Sequence, residues 1–390
     1  MGFADFLGNS DTVTRLREML ERDRFPHALI LTGPRGGGKY TLAQMVAKAM
    51  NCLERPKSPV ITRPSIERFD SDHRQGGGSD PGDFAETLPD FCGRCSNCVR
   101  IGQADDLEAR FAEAVEAREG LRESDKRETR IFVQTYSDVM VIPPDPPQMM
   151  VKVDQVRHLT ATLYYKPAEG RQKVYIFPDP TFVKEAANAL LKVLEEPPEF
   201  ATIFLLAENP AMLLPTIRSR CVTMTLAPLP LAEIEQHLAH SVGWSATQRE
   251  LVARLSCGAL GRARGFDLNG FLAARHDALL ILETAIAGAD HSDLFRATET
   301  YRAGAEGKQK TEELIAALYS LLRDMLSLMS NAPNLVRNID IVSDLTALSR
   351  QVNFEWMATA ADRAGEVQSG MRRNLLRSLS LDAMASSLEI

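Results

Sequence analysis

The stretch Gly33-Pro34-Arg35-Gly36-Gly37-Gly38-Lys39 has the residue types and spacing of a loop that cradles phosphate. Its glycines let successive backbone N–H groups close around phosphate oxygens at a helix N-terminus, and the Lys adds a point charge. A loop that also splits a nucleoside triphosphate places Ser or Thr at the next position to hold magnesium; here that position is Tyr40. Thr41 comes one residue late and on a helix points about 100° away. Gly33, Gly36, Gly38 and Lys39 therefore form a candidate site that holds ATP without hydrolysing it, the alternative being a Gly-rich turn with no ligand. Phosphoryl transfer also needs metal-binding acids and a positioned water. Instead, the strand Lys173-Val174-Tyr175-Ile176-Phe177 runs into Pro178-Asp179-Pro180, where a lone Asp between prolines reads as a turn residue.

A second constellation is Cys92-Gly93-Arg94-Cys95-Ser96-Asn97-Cys98, three thiols at three-residue spacing on a tight turn. That spacing suits tetrahedral zinc, with Cys52, just after the Gly-loop helix, as the fourth ligand. Unconnected reduced thiols and an iron–sulfur cluster are the alternatives, although the Cys-Pro that completes a ferredoxin run is absent. His73 is an alternative ligand. A closed four-thiolate site is structural and does not activate water.

The third is Arg220, in Ser219-Arg220-Cys221 ahead of an apolar strand. A guanidinium carried across an interface stabilises charge developing on a transferring phosphoryl group. Standing alone at a strand entrance, it forms a surface ion pair.

The elements that must position these groups alternate. The apolar run His27 to Thr32 ends at the Gly loop, and Leu42, Met45, Val46 and Ala49 then recur at helical intervals. Strands at 139–142, 173–177, 202–206 and 222–226 are separated by helices at 151–164 and 182–196, the latter stopped by Pro197-Pro198. This is the pattern of an α/β fold with a parallel sheet covered on both faces. Pro228 and Pro230 mark a boundary, beyond which the chain is helical; Leu314, Leu318, Leu321, Leu322, Met325, Leu328 and Met329 form one apolar stripe that reads as bundle core. Two segments, near 53–91 and 104–135, break the alternation as insertions; the first is rich in Pro, Ser and Gly, and the second carries Leu107, Phe111 and Val115 at helical spacing.

With 390 residues, two or three domains are expected. The net charge of −7 argues against strong autonomous binding to duplex DNA, which depends on clustered Lys and Arg. No apolar run is long enough to span a bilayer and Met1-Gly2-Phe3-Ala4-Asp5 lacks the order of a signal peptide, so the expected location is cytoplasmic. In that compartment six Cys favour a metal site over disulfides.

The block Glu185-Ala186-Ala187-Asn188-Ala189-Leu190-Leu191-Lys192-Val193-Leu194-Glu195-Glu196-Pro197-Pro198, followed by Thr216-Ile217-Arg218-Ser219-Arg220-Cys221, closely resembles the clamp-loader branch of the AAA+ proteins. The resemblance covers most of residues 9–265 apart from the insertions, with Arg373-Asn374 as an echo near the end. It implies an α/β P-loop AAA+ core at 1–227 holding a zinc module at 52–98, a small helical lid at 228–270, and a C-terminal all-α collar at 271–390 that joins subunits in a ring. It implies further that Arg220 acts in trans on a neighbour's ATP, that Cys52, Cys92, Cys95 and Cys98 bind zinc, and that Arg262, in Gly258-Ala259-Leu260-Gly261-Arg262, is a second sensor facing phosphate. The partners so implied are the other loader subunits, of the gamma/tau and delta kinds, with the sliding clamp and primed DNA reached through the assembly. Tyr40, Asp179 and Ala207-Glu208-Asn209, where active relatives carry a small hydroxyl sensor, depart from the active pattern and fit a subunit without intrinsic ATPase activity. The competing readings are the loader's motor subunit, which requires the magnesium hydroxyl and paired acids, and a stand-alone zinc-containing nucleotide-binding regulator.

Overall fold

Runs with no polar face dictate the first layer. Residues 28–32, 173–177 and 201–207 are buried along their whole length, so each must be covered on both sides, as central parallel strands are. The computed structural model describes residues 2–60, 87–241, 243–287, 298, 301, 304–371 and 377–388. His73, most of the first insertion and Arg373-Asn374 lie outside them. Two units separate, Met1–Leu229 and Pro230–Ile390.

In chain order the first unit contains α1 (Ser10–Glu21), β1 (Ala28–Thr32), α2 (Lys39–Asn51), β2 (Lys57–Pro59), β3 (Thr87–Pro89), α3 (Ser96–Gly102), α4 (Leu107–Glu119) and α5 (Glu123–Glu128). There follow β4 (Val133–Tyr136), β5 (Val139–Val141), α6 (Val153–Leu163), β6 (Lys173–Phe177), α7 (Lys184–Glu195), β7 (Ala201–Ala207), α8 (Pro215–Arg218) and β8 (Val222–Thr225). The main sheet has the order β4-β5-β6-β7-β1-β8; every pair is parallel except β4 with β5. Alternate residues supply two cores. Leu29, Leu31, Ile176, Phe204 and Leu206 pack with α1 and α2, whereas Ile30, Tyr175, Phe177, Ile203 and Leu205 pack with α6 and α7. Helix α7 contributes Ala186, Ala187, Leu190, Val193 and Leu194 to that second core.

Both insertions are tied back to the first unit. Residues 57–59 and 87–89 pair as an antiparallel hairpin at the base of the first. The guanidinium of Arg17, itself buried, donates to the carbonyls of Ser58 (2.6 Å), Leu88 (2.7 Å) and Pro89 (3.0 Å). In the second, α4 carries the expected Leu107, Phe111 and Val115, each half-buried, and Arg118 makes a buried ion pair with Asp145 at 2.9 Å. Residues 133–135, which the sequence assigned to this insertion, instead belong to the edge strand β4; only Val133 and Tyr136 of that strand are buried, and an irregular register between them erases the alternation that marks a strand.

The second unit is helical: α9 (Leu231–Ser241), α10 (Ala246–Leu255), α11 (Leu260–Arg264), α12 (Leu268–Ala287), α13 (Gly304–Met329), α14 (Val342–Ser349), α15 (Phe354–Met371) and α16 (Arg377–Ser386). Leu314, Leu318, Leu321, Leu322 and Met325 of α13 are buried in one apolar cluster, with Leu328 and Met329 packed against it. Asp324, also on α13 and fully buried, accepts from the backbone N–H groups of Arg337 and Asn338, and Arg275 pairs with Asp340. Among the described residues, no helix is long and apolar enough to cross a membrane.

Candidate functional site

The Gly loop leaves the carboxyl end of β1 and opens α2, which is the strand–loop–helix context that a phosphate cradle needs. Gly33 (φ 144°) and Gly38 (φ 85°) hold left-handed backbone that L side chains rarely adopt. Contacts add a second demand: a Cβ at Gly33 would sit 2.5 Å from the carbonyl oxygen of Leu226, and one at Gly38 would meet the Phe6 ring at 3.0 Å. Lys39 Nζ donates to the carbonyls of Gly33 and Pro34, both at 2.8 Å, so the charge is held inside the loop. Burial lowers its pKa; Glu208 opposes that shift and Arg35 adds to it. Phe3, Phe6, Leu7 and Val13, with Ser10, Thr14 and Arg17, line a hollow of about 220 Å³, which the sequence did not disclose.

Tyr40 does more than omit a small hydroxyl. Its Oη donates to the carbonyl of Ala104 at 2.6 Å and accepts from Gln44 Nε2 at 2.7 Å. Burial raises its pKa, with the Gln44 bond opposing. Replacing Tyr40 by Phe is expected to destabilise the chain by about 1–2 kcal/mol, the cost of leaving a carbonyl and an amide short of a partner. Chemical denaturation compares the two proteins, and an unchanged midpoint would remove this role. Asp179 Oδ1 accepts from Thr181 N (3.2 Å) and Thr181 Oγ1 (2.6 Å), closing its own turn. Asn209 Oδ1 accepts from Ala211 N (2.9 Å) and caps a short helical turn.

From Tyr40, α2 carries Gln44, Lys48 and Asn51 at successive turns and ends at Cys52. Lys48 pairs with Asp105 at 2.5 Å, and the carbonyl of Asn51 accepts from Asn97 Nδ2 at 3.0 Å. Cys52 caps α2, Cys95 caps α3, and the Sγ atoms of Cys52, Cys92, Cys95 and Cys98 all lie within 4.8 Å of one another. Ligands about 2.3 Å from a tetrahedral zinc would be about 3.8 Å apart, so small adjustments let the four thiols hold such an ion. Backbone N–H groups already point at three of the sulfurs: Cys92 at Cys52 (3.4 Å), Cys95 at Cys92 (3.2 Å) and Cys98 at Cys95 (3.5 Å). Donors aimed this way stabilise thiolate, the ligating form. Arg171 donates to the carbonyls of Met50 (3.1 Å) and Cys52 (2.9 Å), fixing the end of α2 on which the cluster is built.

Arg220 lies between α8 and β8. Because β8 runs parallel to β1 with Val222 opposite Leu29 and Thr225 opposite Thr32, Arg220 is at the amino-end rim of the sheet, whereas the Gly loop is at the carboxyl-end rim. The strand between them alone spans roughly 10 Å. The guanidinium donates through Nη2 to Glu195 Oε1 (2.8 Å) and through Nη1 to the carbonyl of Thr216 (3.0 Å), forming the surface pair expected of an isolated Arg. Its neighbour Cys221 is half-buried, which pushes its thiol up to about 12. Arg262 is exposed on α11, in the second unit. Thus α2 joins the Gly loop to the cysteines, while Arg220 stands apart on the opposite rim.

A family profile described as DNA polymerase III, delta subunit, matches residues 84–230. The tau/gamma subunit of Haemophilus influenzae DNA polymerase III is 30% identical over 239 residues, covering 61% of this chain and 25% of that protein. The delta prime subunit of Bacillus subtilis is 27% identical over 224 residues, covering 57% of this chain and 49% of that one. Over about three fifths of its length the chain is thus similar to the tau/gamma and delta prime subunits of DNA polymerase III. It spans a quarter to half the length of these two relatives. A gamma-subunit-related protein of Thermotoga maritima is 22% identical with a TM-score of 0.35, covering 65% of this chain and 83% of that structure. Two features escaped the sequence reading. The hollow is lined by residues between Phe3 and Arg17 of the N-terminal segment. Glu195, an exposed acid at a helix end, gives no periodic signal.

Proposed function

We propose that this chain is the delta prime subunit of a DNA polymerase III clamp loader, a non-motor subunit that supports ATP-driven loading of the sliding clamp onto primed DNA. The observation that carries this reading is the commitment of Tyr40 to Ala104 and Gln44, at the position where a hydrolysing loop presents a hydroxyl to magnesium. The turn closed by Asp179 adds to it, because that carboxylate is engaged with Thr181. Gly33, Gly36, Gly38 and Lys39 retain a geometry that can hold ATP, but metal and water are left unpositioned.

Arg220 contributes the chemistry. Located on the rim opposite its own loop, it serves an ATP held by a neighbouring gamma/tau subunit, where its planar donors stabilise the transferring phosphoryl group. Cys52, Cys92, Cys95 and Cys98 hold a structural zinc that cross-links the end of α2 to the roots of both insertions. The gamma/tau reading, favoured by the 30% identity to the H. influenzae protein, requires a working magnesium site.

The purified chain is accordingly expected to turn over no ATP above background with magnesium and primed DNA present. A steady-state phosphate-release assay on this chain and on Lys39→Ala checks this. Turnover that vanishes in the variant would instead make the chain a motor subunit; nucleotide binding without turnover agrees with the proposal.

A further inference from the structure

The Arg220 guanidinium is held at two points and open at a third. Nη2 is bonded to Glu195 Oε1 at 2.8 Å, and Nη1 to the carbonyl of Thr216 at 3.0 Å and, more weakly, to Ser219 Oγ at 3.4 Å. Nε finds no acceptor among the described residues. A long side chain on a surface ordinarily samples many rotamers, and each costs an arginine part of its ability to meet an incoming oxygen. The carboxylate that restrains this one is the last residue of α7, a helix seated in the sheet core by Leu190, Val193 and Leu194 and halted by Pro197-Pro198. The same helix end is braced by Tyr164 Oη, which donates to the carbonyl of Glu196 at 3.3 Å. Arg220, by contrast, follows a helix of only four residues. The rigid member of the pair is therefore Glu195.

Stability does not account for the contact. The Arg220 and Glu195 side chains are 36% and 51% exposed, and ion pairs of that kind add little to folding. What the contact does is fix the fork's direction while leaving the Nε–H edge free, which is how a supporting residue prepares a group for a reaction. We infer that Glu195 is a positioning residue: it pre-sets Arg220 toward the phosphate of a nucleotide bound by an adjoining subunit. The inference rests on the reading that Arg220 acts in trans.

The test uses the assembled loader, comparing Glu195→Ala, Glu195→Gln, Arg220→Ala and the Glu195→Ala, Arg220→Ala double variant, with turnover measured per assembled complex. Glu195→Ala is expected to lower kcat for ATP by about three- to ten-fold with KM within about two-fold, because it affects an interaction realised in the transition state. Glu195→Gln, which keeps an acceptor at the same reach, retains at least about half of the wild-type rate. The double variant falls no further than Arg220→Ala, since both changes remove one interaction. If Arg220→Ala is slow but Glu195→Ala turns over at the wild-type rate or faster, positioning is overturned and the trans role stands. If Arg220→Ala itself is unimpaired, the trans role fails and takes this inference with it. Additive losses, a Gln variant as slow as Ala, or failure of Glu195→Ala to assemble each overturn positioning as well.

Discussion

Arg220→Ala is expected to lower ATP turnover and clamp loading by the complete loader by about ten-fold or more at the adjoining site, the scale of removing a guanidinium from a phosphoryl-transfer transition state. Folding, zinc content and ring assembly should remain nearly intact, because the residue lost is a half-exposed member of a surface pair with Glu195. Its place at the amino-end rim keeps it from its own loop, so the deficit should appear only when a partner is present. Lys should rescue poorly: an ammonium cannot donate to Glu195, to the Thr216 carbonyl and to a phosphate oxygen in one plane. The decisive measurement is clamp loading at limiting ATP. A wild-type rate there returns Arg220 to an ordinary surface ion pair.

The Cys95→Ser, Cys98→Ser double variant should fall from about one bound zinc per chain to essentially none. Because a structural zinc contributes directly to folding free energy, its thermal midpoint should also drop by roughly 5–15 °C. The effect should be broad, since the thiols close on the end of α2, where Arg171 and Asn97 also converge on backbone carbonyls. Metal analysis with thermal denaturation provides the check. Zinc content unchanged in the double variant would end the assignment of these ligands.

The parts of this molecule that were legible in the sequence are those whose chemistry forces a local pattern. Strand β1, the Gly loop and α2 can occur in only one order around a phosphate cradle, and three thiols at three-residue spacing announce a cluster before any coordinates exist. Central strands declare themselves because burial on both faces demands apolar runs such as Lys173 to Phe177. Strand β4 was hidden because its register breaks between Val133 and Tyr136, leaving no alternation to read. Glu195 was hidden for a different reason: its significance lies in a contact with a residue 25 positions away, and an exposed acid looks the same with or without it.

The bonds made by Tyr40 also set what a change at that position would cost. Placing Thr at position 40 would introduce a small hydroxyl but strip the Ala104 carbonyl and the Gln44 amide of their partner, in a place where Gln44 Oε1 already has none. That exchange would therefore lower stability, and Asp179 would still be closing its turn with Thr181. The side chain works as a keystone: the helix that opens at the Gly loop and the segment around Ala104 share one phenol, so position 40 cannot change without both of them losing a bond.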